Sequence, residues 1–189
     1  MIGEDFEAVL TAAQHGDEAA FATLWHDGQP ALLRYLRVIS PDSAEDIAAE
    51  TWTHVVRGLA RFRGNEQNWR AWLFTTARRR IIDQTRQQMR RPATSLEALP
   101  DITLADLAGL HSPDAADLAL ENLATRKAIE TIAHLPPMQA EVIMLRVVAG
   151  LDTETVGRLL GRSSGAIRIA AHRGLHRLAS LLAEAGVTR

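Results

Sequence analysis

The chain has no cysteine. That excludes a disulfide framework, thiol catalysis, a cysteine-ligated zinc and a thiol redox switch, and it agrees with a reducing compartment. No apolar run approaches the ~20 residues that span a bilayer, and the first residues lack a signal-peptide pattern. A cytoplasmic protein with no membrane insertion is expected. A phosphate-binding glycine motif and a nucleophile elbow are both missing. The seven histidines are scattered; only His172 and His176 sit i,i+4, with no carboxylate nearby. No metal, no cofactor and no enzymatic activity are therefore expected. Lysine is nearly absent too: Lys127 is the only one among 21 basic residues. Arginine is the better fork for phosphate and guanine, although genomic base composition would give the same usage.

What is present is an uneven charge. The net charge of −2 is unpromising for a nucleic-acid binder, but its distribution is informative. Between Pro92 and Thr125 the charged residues are Glu97, Asp101, Asp106, Asp114, Asp117 and Glu121, with no lysine or arginine. From Arg126 onward nine basic residues face five acidic ones. A near-neutral total thus conceals an acidic middle and a basic end.

Almost nothing reads as strand, and apolar residues recur at helical spacing. Phe6, Val9, Leu10 and Ala13 form one short helical face, ended at His15-Gly16-Asp17, with Asp17 as N-cap. Phe21, Leu24 and Trp25 continue on a second helix, and Leu32, Leu33, Leu36 and Val38 on a third after Pro30. Ser40-Pro41-Asp42-Ser43 caps a helix over Ala44–Val56. Residues 58–68 read as a polar loop. A long helix runs from about Trp69 to Met89, ended by Pro92. The fold class is all-α: two small helical domains, 1–91 and 119–189, joined by an acidic linker over 92–118. The linker's Leu96, Leu99, Ile102, Leu104, Leu107 and Leu110 make it too apolar for a purely solvated tether. The second domain is expected to hold four helices, near 117–133, 137–148, 153–160 and 164–182.

The most informative stretch spans Thr153 to Ala179. A short helix ends at Gly161, which suits a left-handed turn position, and Ser163 or Ser164 can cap the next helix. Val156, Leu159 and Leu160 are expected to face Ile167, Ala171 and Leu175. Arg168, His172 and Arg173 point outward, with Arg162 and the two serines at the N-terminal end. This is the pattern of a helix-turn-helix whose second helix enters the major groove, against the blander reading of a helical hairpin with a solvated basic face. Upstream, the loop Arg63–Asn68 followed by an arginine-rich helix suits single-stranded DNA. Trp69 and Trp72 are expected in the core rather than as stacking platforms.

Four stretches in order resemble the extracytoplasmic-function (ECF) group of bacterial sigma-70 factors, over about residues 5 to 182. They are Gly16-Asp17-Glu18-Ala19-Ala20-Phe21; Asp42 to Trp52; Arg61-Phe62-Arg63-Gly64 with Trp69 to Asp83; and Leu135 to Arg146 with Gly150-Leu151 and the helix-turn-helix. The resemblance implies a promoter-recognition subunit that directs RNA polymerase core to promoter DNA. It implies that the helix around Asp46, Ile47, Glu50, Thr51 and Trp52 docks on the clamp helices of the largest polymerase subunit. It implies a pocket for a flipped base of the −10 element lined by Gly64, Asn65, Glu66, Gln67 and Asn68. Arg63, Arg78, Arg79 and Arg80 would then be cations of that region. Arg146, Arg168, His172 and Arg173 are implied as −35 contacts, with Arg162, Ser163 and Ser164 on phosphates. In the family the linker threads the path later used by nascent RNA. Many members are held by an anti-sigma factor covering both lobes, and the apolar linker allows such a partner here.

Two departures stand out. Four residues, Asn65 to Asn68, separate Gly64 from Trp69, where members commonly have three. Ala170 occupies a position usually held by arginine. The alternative reading is a stand-alone helix-turn-helix regulator with an N-terminal interaction domain. The lack of an obvious dimer helix and the match over residues 42–83 count against it.

Overall fold

The computed structural model describes residues 2–90 and 127–184. The expected linker, and the second domain before residue 127, lie outside the described residues. Among the described residues every regular element is helical. The first lobe contains α1 (Phe6–Gln14), α2 (Glu18–Ile39), α3 (Ala44–Leu59) and α4 (Glu66–Arg90). The second contains α5 (residues 127–133), α6 (Pro137–Ile143), α7 (Thr153–Leu160) and α8 (Ser164–Glu184). A π-helical turn, Met144–Val148, continues α6.

Asp17 caps α2 by accepting the backbone N–H of Ala20, which satisfies one of the donors a helix start leaves open. The two helices expected on either side of Pro30 are a single helix, α2, with Pro30 inside it. Proline removes one hydrogen bond and crowds the preceding turn. Here the surrounding Leu24, Leu32, Tyr35 and Leu36 are all fully buried, and that packing outweighs the local cost.

The two lobes have different cores. All nine aromatic residues lie between Phe6 and Phe74. Trp69 sits at the centre, with ring centroids 6.4 Å from Phe6, 6.4 Å from Trp52, 5.6 Å from Phe62 and 5.6 Å from Trp72. The second core is aliphatic: Ile132, Leu135, Val142, Ile143, Met144, Leu145, Leu151, Val156, Leu160 and Ile167. Close helix approach depends on missing side chains in both. A Cβ on Gly28 would lie 3.0 Å from Leu73, and one on Gly174 would lie 2.7 Å from Ile143.

Candidate nucleic-acid interface

The turn that starts α4 is closed by its own side chains. Asn65 and Asn68 form a reciprocal cap: Asn68 N–H donates to Asn65 Oδ1 at 2.9 Å, and Asn65 N–H donates to Asn68 Oδ1 at 3.2 Å. This is the capping-box logic with two amides in place of Ser and Glu. The Asn68 side chain folds over Gly64, whose φ is 147°; a Cβ there would sit 2.7 Å from the Asn68 Cβ. Only glycine meets both demands.

Glu66, expected at a base pocket, instead accepts the backbone N–H groups of Ile2 and Gly3 at 3.0 and 3.1 Å. Behind it, Arg70 is 8% exposed, bridges to Asp27 at 2.8 Å and lies 3.5 Å from Glu66. Arg63 donates to the carbonyls of Ala60 and Phe62 at 3.0 and 2.6 Å. Phe62 stacks on Trp72 at 5.1 Å and 17°. Among the described residues, Gln67 is exposed and its side chain makes no hydrogen bond within its own lobe. The loop is thus a preorganised rim rather than a mobile tether.

On α4, Arg79 is exposed and makes no hydrogen bond among the described residues, whereas Arg80 reaches His54 Nδ1 at 3.3 Å. Arg78 donates through Nε to Glu141 of the second lobe at 2.8 Å. The three arginines expected to act together therefore have three different environments.

The expected polymerase-docking set needs correction. Ile47 is 2% exposed, Thr51 0% and Trp52 7%. Thr51 donates to the Ile47 carbonyl, and the Trp52 indole N–H donates to Gln29 Oε1 at 2.6 Å. On one narrow helical stripe, two residues five apart would not both turn inward. Instead α3 packs against both α2 and α4, so its buried stripe is wide enough for both. Asp46 and Glu50 are exposed on the opposite side.

The helix-turn-helix follows its expected course. The Asp152 carboxylate caps α7 by accepting Thr155 N–H and the Thr155 hydroxyl, each at 2.8 Å. These bonds, the backbone one foremost, hold its pKa below the usual carboxylate value. Gly161 ends α7 in the left-handed conformation, φ 64°. The Ser163 hydroxyl accepts Ala166 N–H at 3.2 Å and starts α8. Sequence reasoning missed Gly157: a Cβ there would lie 2.7 Å from the Arg162 carbonyl, so the turn closes only over glycine. Arg162, Ser163, Arg168, His172 and Arg173 are exposed on one basic surface, with Ser164 half-buried beside them.

One expectation on this lobe changes. Leu175 is 49% exposed rather than packed on α7; its neighbour Gly174 packs on Ile143 of α6. Arg146, implied as a DNA contact, is exposed, and one of its amino groups donates to the Leu151 carbonyl at 2.7 Å, bracing the turn before α7. Ala170 is half-buried against the core.

With this geometry in place, comparison with known proteins is direct. The sigma-70 region 2 model matches residues 24–91, and the sigma-70 region 4 model matches residues 125–178. The ECF RNA polymerase sigma factor SigD of Mycobacterium tuberculosis is 33% identical, over 98% of this chain and 88% of its own length. The ECF RNA polymerase sigma factor ShbA of Streptomyces griseus is 32% identical, over 92% and 93%. Among solved structures, CnrH in complex with the cytosolic domain of CnrY superposes with a TM-score of 0.60 at 20% identity, covering 96% of this chain and 99% of that one. The sigma factor RpoE of Bartonella quintana, in complex with the anti-sigma factor NepR, superposes at 0.58 and 24% identity, covering 89% and 98%. These two likenesses establish the fold.

Proposed function

From the premise that the chain belongs to the ECF group of the sigma-70 family, we propose how its surfaces divide the work of starting transcription. The protein is a promoter-recognising sigma factor that directs RNA polymerase core to DNA. Residues 1–91 act as the unit that engages the polymerase and the −10 element, and residues 119–189 as the unit that reads the −35 element, joined by 92–118. The observation that carries this division is the pair of rigid, capped turns, Gly64–Asn68 and Gly161–Ser163. Each launches an arginine-bearing helix from a separate lobe.

On the second lobe, Arg168, His172 and Arg173 take base edges, while Arg162 and the N-terminal end of α8 take phosphates. Arg146 serves as a brace for that turn. On the first lobe, Gln67 and the exposed backbone at the start of α4 meet the unstacked base, and Arg79 and Arg80 meet the backbone. Asn65, Glu66 and Asn68 set the shape of the rim. Asp46 and Glu50 face the polymerase clamp helices, with Ile47, Thr51 and Trp52 fixing the helix from inside. An anti-sigma factor of the kind bound in the RpoE–NepR structure is a natural partner. The protein acts in the cytoplasm and carries out no chemical step of its own.

Run-off transcription with core polymerase tests this. Adding the protein should produce a defined start, and no start above the core-only background would end the proposal. Arg168→Ala should weaken use of the upstream element by about 1–3 kcal/mol without altering helix content.

A further inference from the structure

The two lobes touch along one seam, where α2 packs on α6 and the π-helical turn. Two donors converge there on one carboxylate oxygen. The Tyr35 hydroxyl donates to Glu141 Oε1 at 3.1 Å, and Arg78 Nε donates to the same oxygen at 2.8 Å. Tyr35 is fully buried, with its ring edge-on to Phe74 at 5.5 Å. The Glu141 side chain is 15% exposed and that of Arg78 27%.

The direction of these bonds matters. Among the described residues Glu141 has no partner in its own lobe; both of its donors come from the first. In the closed arrangement this carboxylate is largely removed from water, and both groups that compensate it come from the other lobe. A second polar contact leads the same way: Gln67 Nε2 lies 3.5 Å from the Gly150 carbonyl. Gln67 is assigned above to the promoter-facing surface, and the family resemblance implies Arg78 as a cation of the same region.

We propose that Glu141 is an internal stand-in for a DNA phosphate: it holds Arg78 in the free protein and latches the two lobes in a closed state. Opening exchanges the Glu141 carboxylate for a nucleic-acid phosphate at the same guanidinium. The proposal rests on the sigma-factor reading for the identity of the masked surface. The latch itself is a physical contact that is measured separately.

The cysteine-free chain makes the test clean. Dyes are placed on Thr23→Cys and Ala179→Cys, exposed positions on the two lobes, and energy transfer is recorded for the full-length protein. Wild type should show a predominantly high-transfer population. Glu141→Gln should shift the open-to-closed ratio roughly tenfold, the usual worth of a charge-assisted hydrogen bond. Its affinity for a short single-stranded oligonucleotide should rise by up to the same factor, since a larger fraction is competent. Glu130→Gln, which removes an exposed acid on the same lobe, should change neither. Arg78→Glu combined with Glu141→Arg should restore high transfer, which distinguishes a lost ion pair from a damaged fold. An open wild type, or a Glu141→Gln distribution identical to it, overturns the latch. Run-off transcription at saturating core should be equal for wild type and Glu141→Gln. If wild type gives no promoter-specific transcript, the sigma-factor reading fails and the regulatory meaning with it, whatever the transfer shows.

Discussion

The two lobes reach a similar end, a helix launched from a rigid turn, by opposite means. The first is built on rings: Trp69 touches Phe6, Trp52, Phe62 and Trp72, and the loop before α4 rests on that cluster through Phe62. The second has no aromatic residue. Its turn is shaped by caps and by glycines that let backbone approach backbone. Buried aromatic area is large and non-directional, so it tolerates an awkward element such as Pro30 inside α2. Aliphatic cores of small helices have less to spare, and geometry at single atoms matters more.

Substitutions can break this contrast. Trp69→Ala should cost about 3–5 kcal/mol and disorder the loop before α4, while leaving the α7–α8 turn intact. Denaturant unfolding, with amide exchange resolved by lobe, checks both parts; equal loss in the two lobes would contradict the division. In the second lobe a single methyl should matter. Gly157→Ala pushes a Cβ against the Arg162 carbonyl and should cost about 1–3 kcal/mol, read as a drop in Tm and weaker binding to upstream-element duplex. An alanine tolerated without change would show that the turn is looser than its atoms suggest. Asp152→Ala should cost about 0.5–2 kcal/mol through the lost cap. Because the folded-state pKa of Asp152 is lowered, its contribution is present at neutral pH and disappears as pH falls through the carboxylate range. Thermal melts of wild type and Asp152→Ala should converge in acid.

The smallest effect sharpens the comparison at the seam. Burial first, then the Glu141 charge and hydrogen bond, raise the Tyr35 pKa well above a phenol's ordinary value. The folded protein keeps this proton longer than the unfolded chain does. The associated stability is complete below the ordinary tyrosine pKa and is lost as pH rises past it. Tyr35 is the only tyrosine, so the ultraviolet absorbance of phenolate reports it alone. Titration should begin at lower pH in Glu141→Gln; an unchanged curve would separate Tyr35 from the seam.

Local chemistry was legible in the sequence. Asp17 as a cap, Gly161 as the left-handed stop, a serine at 163 or 164 as the start of α8 and Trp69 in the core each follow from a few neighbouring residues. What was not legible depends on distant partners. Periodicity gives the direction of a buried stripe but not its width, and the width at Ile47 and Trp52 is set by α2 and α4 flanking α3. Composition marked Asn65, Glu66 and Asn68 as polar and available. Their availability is removed by a reciprocal cap and by backbone N–H groups 64 and 63 residues away. Nothing near Glu141 in the sequence marks it out; its partners lie 106 and 63 residues upstream.

The bond between Ile2 and Glu66 also has a meaning in time. It closes a ring of 64 residues, so the start of the chain cannot dock until the first turn of α4 exists. At roughly 5–20 residues per second of synthesis, that is a wait of about 3 to 13 s. During that interval α1 and α2 can already pair with each other, because their contacts are local. The turn that starts α4 is completed only afterwards, by a stretch of backbone that was made earlier and has been waiting for it.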